Sequence, residues 1–412
     1  MVSPLPLLFR QASVLDATAA ELVENRNVLV RDGRITEVGG PEVGASDAHV
    51  IDLRGKVLMP GLIDAHVHTT LYTADLAAVG HHSATYMAAR AGHLLRAMLD
   101  RGFTTVRDAG GADYGLAQAV EEGWFTGPRV LYGGKAITQS GGHGDHRHRG
   151  QIHHDDHYCN PGHVRIADGE TEMRKAVRDE IRRGASHVKL MLGGGIVSPT
   201  SRIDSTHFGE DELRAAVEEA AAANRYVLGH AYTARAVNRA LELGVRSIEH
   251  GNLLDDRSIE LFLERDAFYV PTLVTYEALA AEGVRSGLRP EHHRKIAEVL
   301  DAGLGALEKA HRAGITIAFG SDLLGDMQRR QLEEFRLRAQ VQPAAHILRS
   351  ATTDAARLLR LEGRIGVVAP GAYADLLVVR ANPLDDITVL TDPDKQLAAI
   401  VQGGRLHLNT LD

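Results

Sequence analysis

Cysteine is almost absent from this chain of 412 residues: Cys159 is its only one. No intrachain disulfide can form, which fits a reducing compartment. Cys159 sits in His153-His154-Asp155-Asp156-His157-Tyr158-Cys159-Asn160-Pro161-Gly162, which reads as a loop rather than as the setting of a thiol nucleophile. Basic runs are missing too, and the formal net charge is −8. Nucleic acid is thereby excluded as the main partner, because binding a phosphate backbone needs a basic surface. No apolar stretch reaches the roughly 18 residues of a membrane-spanning helix. The N-terminus has no basic region, and Pro4 and Pro6 break its short apolar run, so no export signal is expected and the location expected by default is cytoplasmic. The run Gly193-Gly194-Gly195 lacks the following Lys-Ser/Thr of a phosphate loop. No Gly-x-Ser-x-Gly elbow is present, which argues against a serine hydrolase of the α/β type.

What remains is the composition of an ordinary globular protein, 44% hydrophobic and 24% charged, at a length suited to a large barrel with an accessory unit. Both ends read as β. Pro6 to Val14, Asn27 to Val30, Arg34 to Val38 and Val50 to Leu53 are strand-like near the start, with Asp32-Gly33 as a hairpin turn. Ala374 to Val379 and Ala398 to Val401 are strand-like near the end, with Gly403-Gly404 as a turn. Between them the pattern alternates. Strand-like runs such as Thr104 to Val106, Val130 to Tyr132, His187 to Leu192, Tyr226 to His230, Ser247 to His250, Phe268 to Thr272 and Ile315 to Phe319 are separated by helical stretches such as Glu210 to Asn224 and Ala234 to Leu243. This is the pattern of parallel strands with crossover helices. The expected fold is α/β: a TIM-like (β/α)8 barrel over 61–362 and a small β-sandwich built from 1–60 and 363–412.

The chemistry-bearing residues fall at strand ends. Gly61 to His68 is a short apolar strand closing on His-x-His. Strand side chains alternate faces, so His66 and His68 project to one side and can clamp a divalent metal. Lys189 lies in an apolar strand, His230 and His250 end two others, and Asp322 follows the last in Gly320-Ser321-Asp322. In a (β/α)8 barrel the C-terminal strand ends share one mouth, so these six positions would converge. Burial favours the neutral amine of Lys189. A neutral amine can capture carbon dioxide and become a carbamate, a two-oxygen ligand able to bridge two metals.

These residues resemble the metal-dependent amidohydrolase superfamily, in its subgroup with a carboxylated lysine. The resemblance spans the chain from Pro60-Gly61-Leu62-Ile63-Asp64-Ala65-His66-Val67-His68 to Gly371-Ala372-Tyr373-Ala374-Asp375-Leu376. Thr104 to Asp108, Ser140 to Asp145, Val188 to Met191 and His230-Ala231-Tyr232 are similar to the branch of prolidase-like dipeptidases and imidazolonepropionase-related proteins, with ochratoxin-type amidases close by. Imidazolonepropionases proper lack the bridging lysine that Lys189 would supply. The resemblance implies two divalent metals, zinc by default, with His66, His68 and Asp322 on the more buried one and His230 and His250 on the other. Lys189, as N6-carboxylysine, and a hydroxide would bridge them. It also implies that Asp322 moves the proton and that His143 and Tyr232 donate to the carbonyl oxygen. The expected substrate is a small amide or dipeptide cut next to a C-terminal amino acid. The alternative is a cyclic amide, carbamate or ester cut by the same site. Members of such families are often homo-oligomers. Two loops complete the reading. His143, His146, His148, His153, His154, His157 and His163 crowd a polar loop expected over the mouth, and the glycine run is expected to be a flexible rim, with Ile196 to Arg202, and Val197 among them, touching substrate.

Overall fold

The computed structural model describes residues 5–147, 150–151, 162–198 and 201–411. The two ends of the chain meet in one eight-stranded sheet. Leu7–Asp16, Glu21–Arg31, Arg34–Gly39, His49–Asp52 and Val57–Pro60 come from the start, and Leu376–Val379, Leu397–Gln402 and Arg405–Asn409 from the end. The seam is Leu376–Val379 antiparallel to Val57–Pro60, with Leu377 opposite Met59. Period-two alternation then gives the seam two apolar faces. Leu58, Leu376 and Val378 pack with Phe9, Val28 and Val30, while Met59, Leu377 and Val379 pack with Leu95, Met98 and Phe103 of the central region. Seven of the eight strands pair along one path, and His49–Asp52 pairs with Leu7–Asp16 off it. That path curls back on itself, because Ile35 N–H donates to the Ala372 carbonyl (2.9 Å) and Ala374 N–H to the Gly33 carbonyl (2.9 Å). The Asp32-Gly33 turn has positive φ at both residues (48° and 76°), as a tight two-residue hairpin requires.

Between the ends, every strand runs parallel to its neighbours. Leu62–Val67, Phe103–Asp108 and Arg129–Tyr132 form one ladder. Val164–Ile166, Ala136–Thr138, Val188–Met191, Val227–Thr233, Ser247–Leu253, Phe268–Val270 and Thr316–Ile317 form another in that spatial order. Backbone bonds link the two ladders: Ala65 N–H donates to the Phe319 carbonyl (2.8 Å), just past the last strand, and Ser186 N–H, just before Val188–Met191, to the Tyr132 carbonyl (2.9 Å). Leu62–Val67 and Val188–Met191 are buried at every residue, as expected of parallel strands covered on both faces. The helices between them are amphipathic. Ala234–Glu242 buries Ala236, Val237, Ala240 and Leu241 on one stripe, and its first turn is capped by Thr233, whose side chain accepts from Ala236 N–H. The helix expected over Glu210 to Asn224 ends at Ala222, because Asn224 takes a left-handed φ of 55° that turns the chain into the next strand. Among the described residues no helix is long and apolar enough to cross a membrane.

Candidate metal centre

Parallel registry brings the strand ends together. Met191 lies opposite His230 and Ala231 opposite His250, so Lys189, His230 and His250 come from three successive neighbouring strands. His66 and His68 arrive from Leu62–Val67 and its exit, and Asp322 N–H donates to the His66 carbonyl (2.8 Å), which ties the last loop to the first strand. One cavity is lined by His66, His68, Lys189, His230, His250 and Asp322, and also by His143, Tyr232 and Val197. The structure therefore gathers every sequence-predicted site residue into one place. His148, His153, His154, His157 and Cys159 lie outside the described residues. His146 packs its ring 5.3 Å from that of His163, and His163 joins the cavity wall.

The donor atoms fall into two groups. One ligand atom each from His66, His68 and Asp322 lies within 4.8 Å of the others. His230 and His250 form the second group, with ring centroids 4.5 Å apart. Outer hydrogen bonds decide which ring nitrogen each histidine offers. His66 Nδ1–H donates to Glu249 Oε2 (2.7 Å), and His68 Nδ1–H to the Gly110 carbonyl (2.8 Å). His250 Nδ1 pairs with Thr272 Oγ1 (2.7 Å). Each of these leaves Nε2 for the centre. His230 is reversed: its Nε2–H donates to the Gly194 carbonyl (3.1 Å) and leaves Nδ1. Four imidazoles with outward nitrogens tied and the others turned inward beside a carboxylate and a lysine, those of His66 and His68 lying 3.3 and 3.1 Å from Asp322 Oδ1, fit divalent metal ions.

Electrostatics differ between the donors: burial would lower His68, but its contact with Asp322 outweighs that and raises it. Burial, reinforced by His250 and Lys189 close by, holds His230 well below the usual imidazole range, and burial does the same to His250. Both are therefore neutral, as metal binding requires. His143 is likewise lowered by burial and then by His230, whose ring lies 4.4 Å away. Burial opposes ionisation of Asp322, but His66 and His68 overcome it and hold the carboxyl well below its usual range. Lys189 is drawn down from 10.5 to about 8, chiefly by desolvation.

Backbone strain concentrates at the same strand ends. His250 (φ 78°), Thr272 (φ 49°) and Asp322 (φ 51°) all adopt left-handed conformations. Non-glycine residues held there cost on the order of 1–3 kcal/mol each and persist where the surroundings over-determine them.

Sequence reasoning passed over the outer layer. Glu249 holds His66 and is itself held by Arg107, whose Nη2 lies 2.9 Å from its carboxylate, both side chains being fully buried. Burial pushes the Glu249 carboxyl up, but Arg107 and then His66 bring it down to about 2. The signal was present, because Arg107 and Glu249 are charged residues inside all-buried strands, as Lys189 is. The glycine run also differs from expectation. A Cβ on Gly194 would lie 1.6 Å from the Arg202 carbonyl oxygen, and one on Gly195 would lie 2.3 Å from the His143 ring. Close approach, not flexibility, accounts for these glycines.

Comparison with known proteins follows the same line. The amidohydrolase family profile matches residues 57–406. Ochratoxinase of Aspergillus niger is 32% identical over 374 residues, which cover 86% of this chain and 76% of that protein. Among solved structures, a prolidase complexed with N-methylphosphonate-L-proline superposes with a TM-score of 0.95 at 46% identity, covering 98% of this chain and 100% of that one. A Xaa-Pro dipeptidase with bound methionine in the active site superposes with a TM-score of 0.88 at 28% identity, covering 98% and 100%.

Proposed function

The chain belongs to the amidohydrolase family and is a hydrolase acting on C–N bonds, and on that premise we propose that it cleaves an amide or peptide bond to a C-terminal amino acid with the help of two divalent metals. The observation that carries this reading is the six-donor arrangement with its tied outer nitrogens. His66, His68 and Asp322 would hold one metal and His230 and His250 the other, with Lys189, carboxylated, shared between them. When bound, the metals, zinc by default, supply Lewis acidity that acidifies a water and polarises the substrate carbonyl.

The chain's own residues do the rest. Asp322, ionised in its buried setting, accepts a proton as the water oxygen bonds to the carbonyl carbon. The same proton then passes to the amide nitrogen as the C–N bond breaks, so acid and amine leave neutral in proton balance. His143 and Tyr232 line the cavity and would donate to the oxygen that gains charge. Leu71, Leu76, Leu279 and Leu324, with Ile196 and Val197, give the cavity an apolar wall suited to a hydrophobic acyl or side chain. Among the described residues no arginine lines it, so a substrate carboxylate would be met by tyrosine and histidine side chains. We further read the parallel strands as the eight units of a TIM-like barrel over 61–362, with 1–60 and 363–412 as the accessory unit, and the protein as a homo-oligomer.

A panel of dipeptides, including Xaa-Pro pairs, and N-acyl amino acids of the ochratoxin type, assayed with zinc, cobalt or manganese present, tests the proposal. Release of free amino acid from at least one member is expected. Activity on lactams, carbamates or esters with none on the panel would move the reading to those bonds.

A further inference from the structure

The turn after the Lys189 strand carries several parts of the site. The Gly194 carbonyl holds His230, Gly195 packs beneath the His143 ring, and Ile196 and Val197 line the cavity. Its outgoing and returning arms are joined by a bridge between Gly193 and Thr206 and by Gly194 N–H donating to the Ser205 carbonyl (3.1 Å). The tip is held from elsewhere. Lys295, between helices Pro290–His293 and Ala297–Ala313, directs its Nζ at the carbonyls of Ser201 (2.8 Å), Ser198 (2.9 Å) and Gly195 (3.4 Å).

An ammonium has three N–H donors and no acceptor. Here three backbone carbonyls, all on buried residues, converge on one ammonium. Converging carbonyl oxygens present like partial charges to one another, and a buried one left without a donor is costly. The Gly195 carbonyl also accepts from Ser198 N–H (3.3 Å), so the lysine chiefly satisfies the carbonyls of Ser198 and Ser201. It does so across about 95 residues of sequence, from a segment whose neighbours Ile296 and Val299 are fixed in the central core.

We propose that Lys295 is a positioning residue for substrate fit: it ties Gly195 and Ser198 to Ser201 so that Ile196, Val197 and His143 present a fixed wall to the substrate. The proposal rests on the amide-hydrolase reading above for its kinetic consequence, but not for its structural one. A side-chain wall displaced by a fraction of an ångström changes binding and alignment of the substrate before it changes the metal ligands, which sit on rigid strand ends.

The test compares wild type with Lys295→Met and Lys295→Arg. Metal content is measured on each, along with kcat and KM on a hydrolysed substrate and hydrogen exchange of the backbone over 193–206. Lys295→Met should raise KM about tenfold with kcat changed by less than about threefold, and Lys295→Arg, which keeps a multivalent donor, should recover most of the loss. Metal content should match wild type, and exchange should quicken over 193–206 but not over 247–253. Unchanged KM in Lys295→Met, or a parallel fall in kcat and metal content, overturns the role. If no panel substrate is hydrolysed, the functional reading fails instead, and the exchange data still decide. Unaltered protection of 193–206 in Lys295→Met then refutes the tie, and a selective loss supports it.

Discussion

Arg107, Lys189 and Glu249 are three charged residues within the strands of the central region, and all three are buried. Each has a different reason to be there. Lys189 faces the cavity, where burial draws its ammonium toward the neutral form that can be carboxylated. Glu249 orients His66, and Arg107 neutralises Glu249. Removing one partner of such a buried pair leaves an uncompensated charge, which costs about 3–5 kcal/mol. Arg107→Met should therefore lower stability by about that amount in chemical denaturation, and adding Glu249→Gln should restore part of it, a coupling that a double-mutant cycle reads directly. Asp322 obeys a different logic, because its work is proton transfer. Asp322→Asn should still bind metal, measured by elemental analysis, while turnover falls by about 10²–10⁴-fold. Normal turnover in that variant would remove Asp322 from the proton path. At this scale the sequence was a good guide wherever a residue type is chemically odd for its place. His-x-His at a strand end and a lysine in an apolar run were visible. Arg107 and Glu249 are as odd in their strands as Lys189, but their pairing with each other across 142 positions is visible only in the fold.

Elements were legible where they were long or strongly patterned. The strands around His66, Lys189, His230 and His250 appear where alternation and apolar runs placed them, and the helix at Ala234–Glu242 starts at its expected residue. The strands Ala136–Thr138 and Val164–Ile166 are three residues each, too short to show any period, and they emerge only by pairing with one another and with Val188–Met191. Strand ends drifted for a related reason: Phe268–Val270 stops before Thr272 because Thr272 turns left-handed to support His250. The Gly193-Gly194-Gly195 run misled most. Glycine permits both looseness and close approach, and composition cannot separate them. Here the backbone of the returning arm occupies the space of a Gly194 side chain. Gly194→Ala must push Arg202 away and so moves the carbonyl that holds His230. The expected result is a loss of activity of about tenfold or more with a retained fold, and weaker binding of one metal than of the other. Circular dichroism, activity and metal titration check the three parts. Unchanged activity would show that the carbonyl of Gly194 does not govern His230.

For the whole molecule, the concentration of buried neutral histidines makes acidity the natural stress. His143, His163, His187, His207, His230 and His250 are all held below the usual imidazole range, in each case first by burial. In the unfolded chain these groups take up protons near their ordinary value of about 6.5. A base whose folded pKa is depressed binds fewer protons folded than unfolded, so stability is full above about pH 6.5 and falls as the pH drops below it. Loss of metal acts in the same direction, since imidazoles that become protonated no longer bind it, and ligand binding to the folded state adds stability by mass action. Thermal midpoints should therefore be nearly level from about pH 7 to 8.5 and decline steeply from about pH 6.5 to 5, and chelation should lower the midpoint at every pH. His207 separates the two causes. It is buried, with Nδ1–H donating to the Met191 carbonyl (3.0 Å), and it is not among the candidate ligands. His207→Gln keeps a side-chain donor but cannot titrate. The slope of unfolding free energy against pH below 6.5 should then become shallower by up to one proton, about 1.4 kcal/mol per pH unit, with metal content unchanged. An identical slope in the variant would mean that His207 is not held neutral in the folded protein, and that the acid sensitivity belongs to the other buried histidines and the metal site.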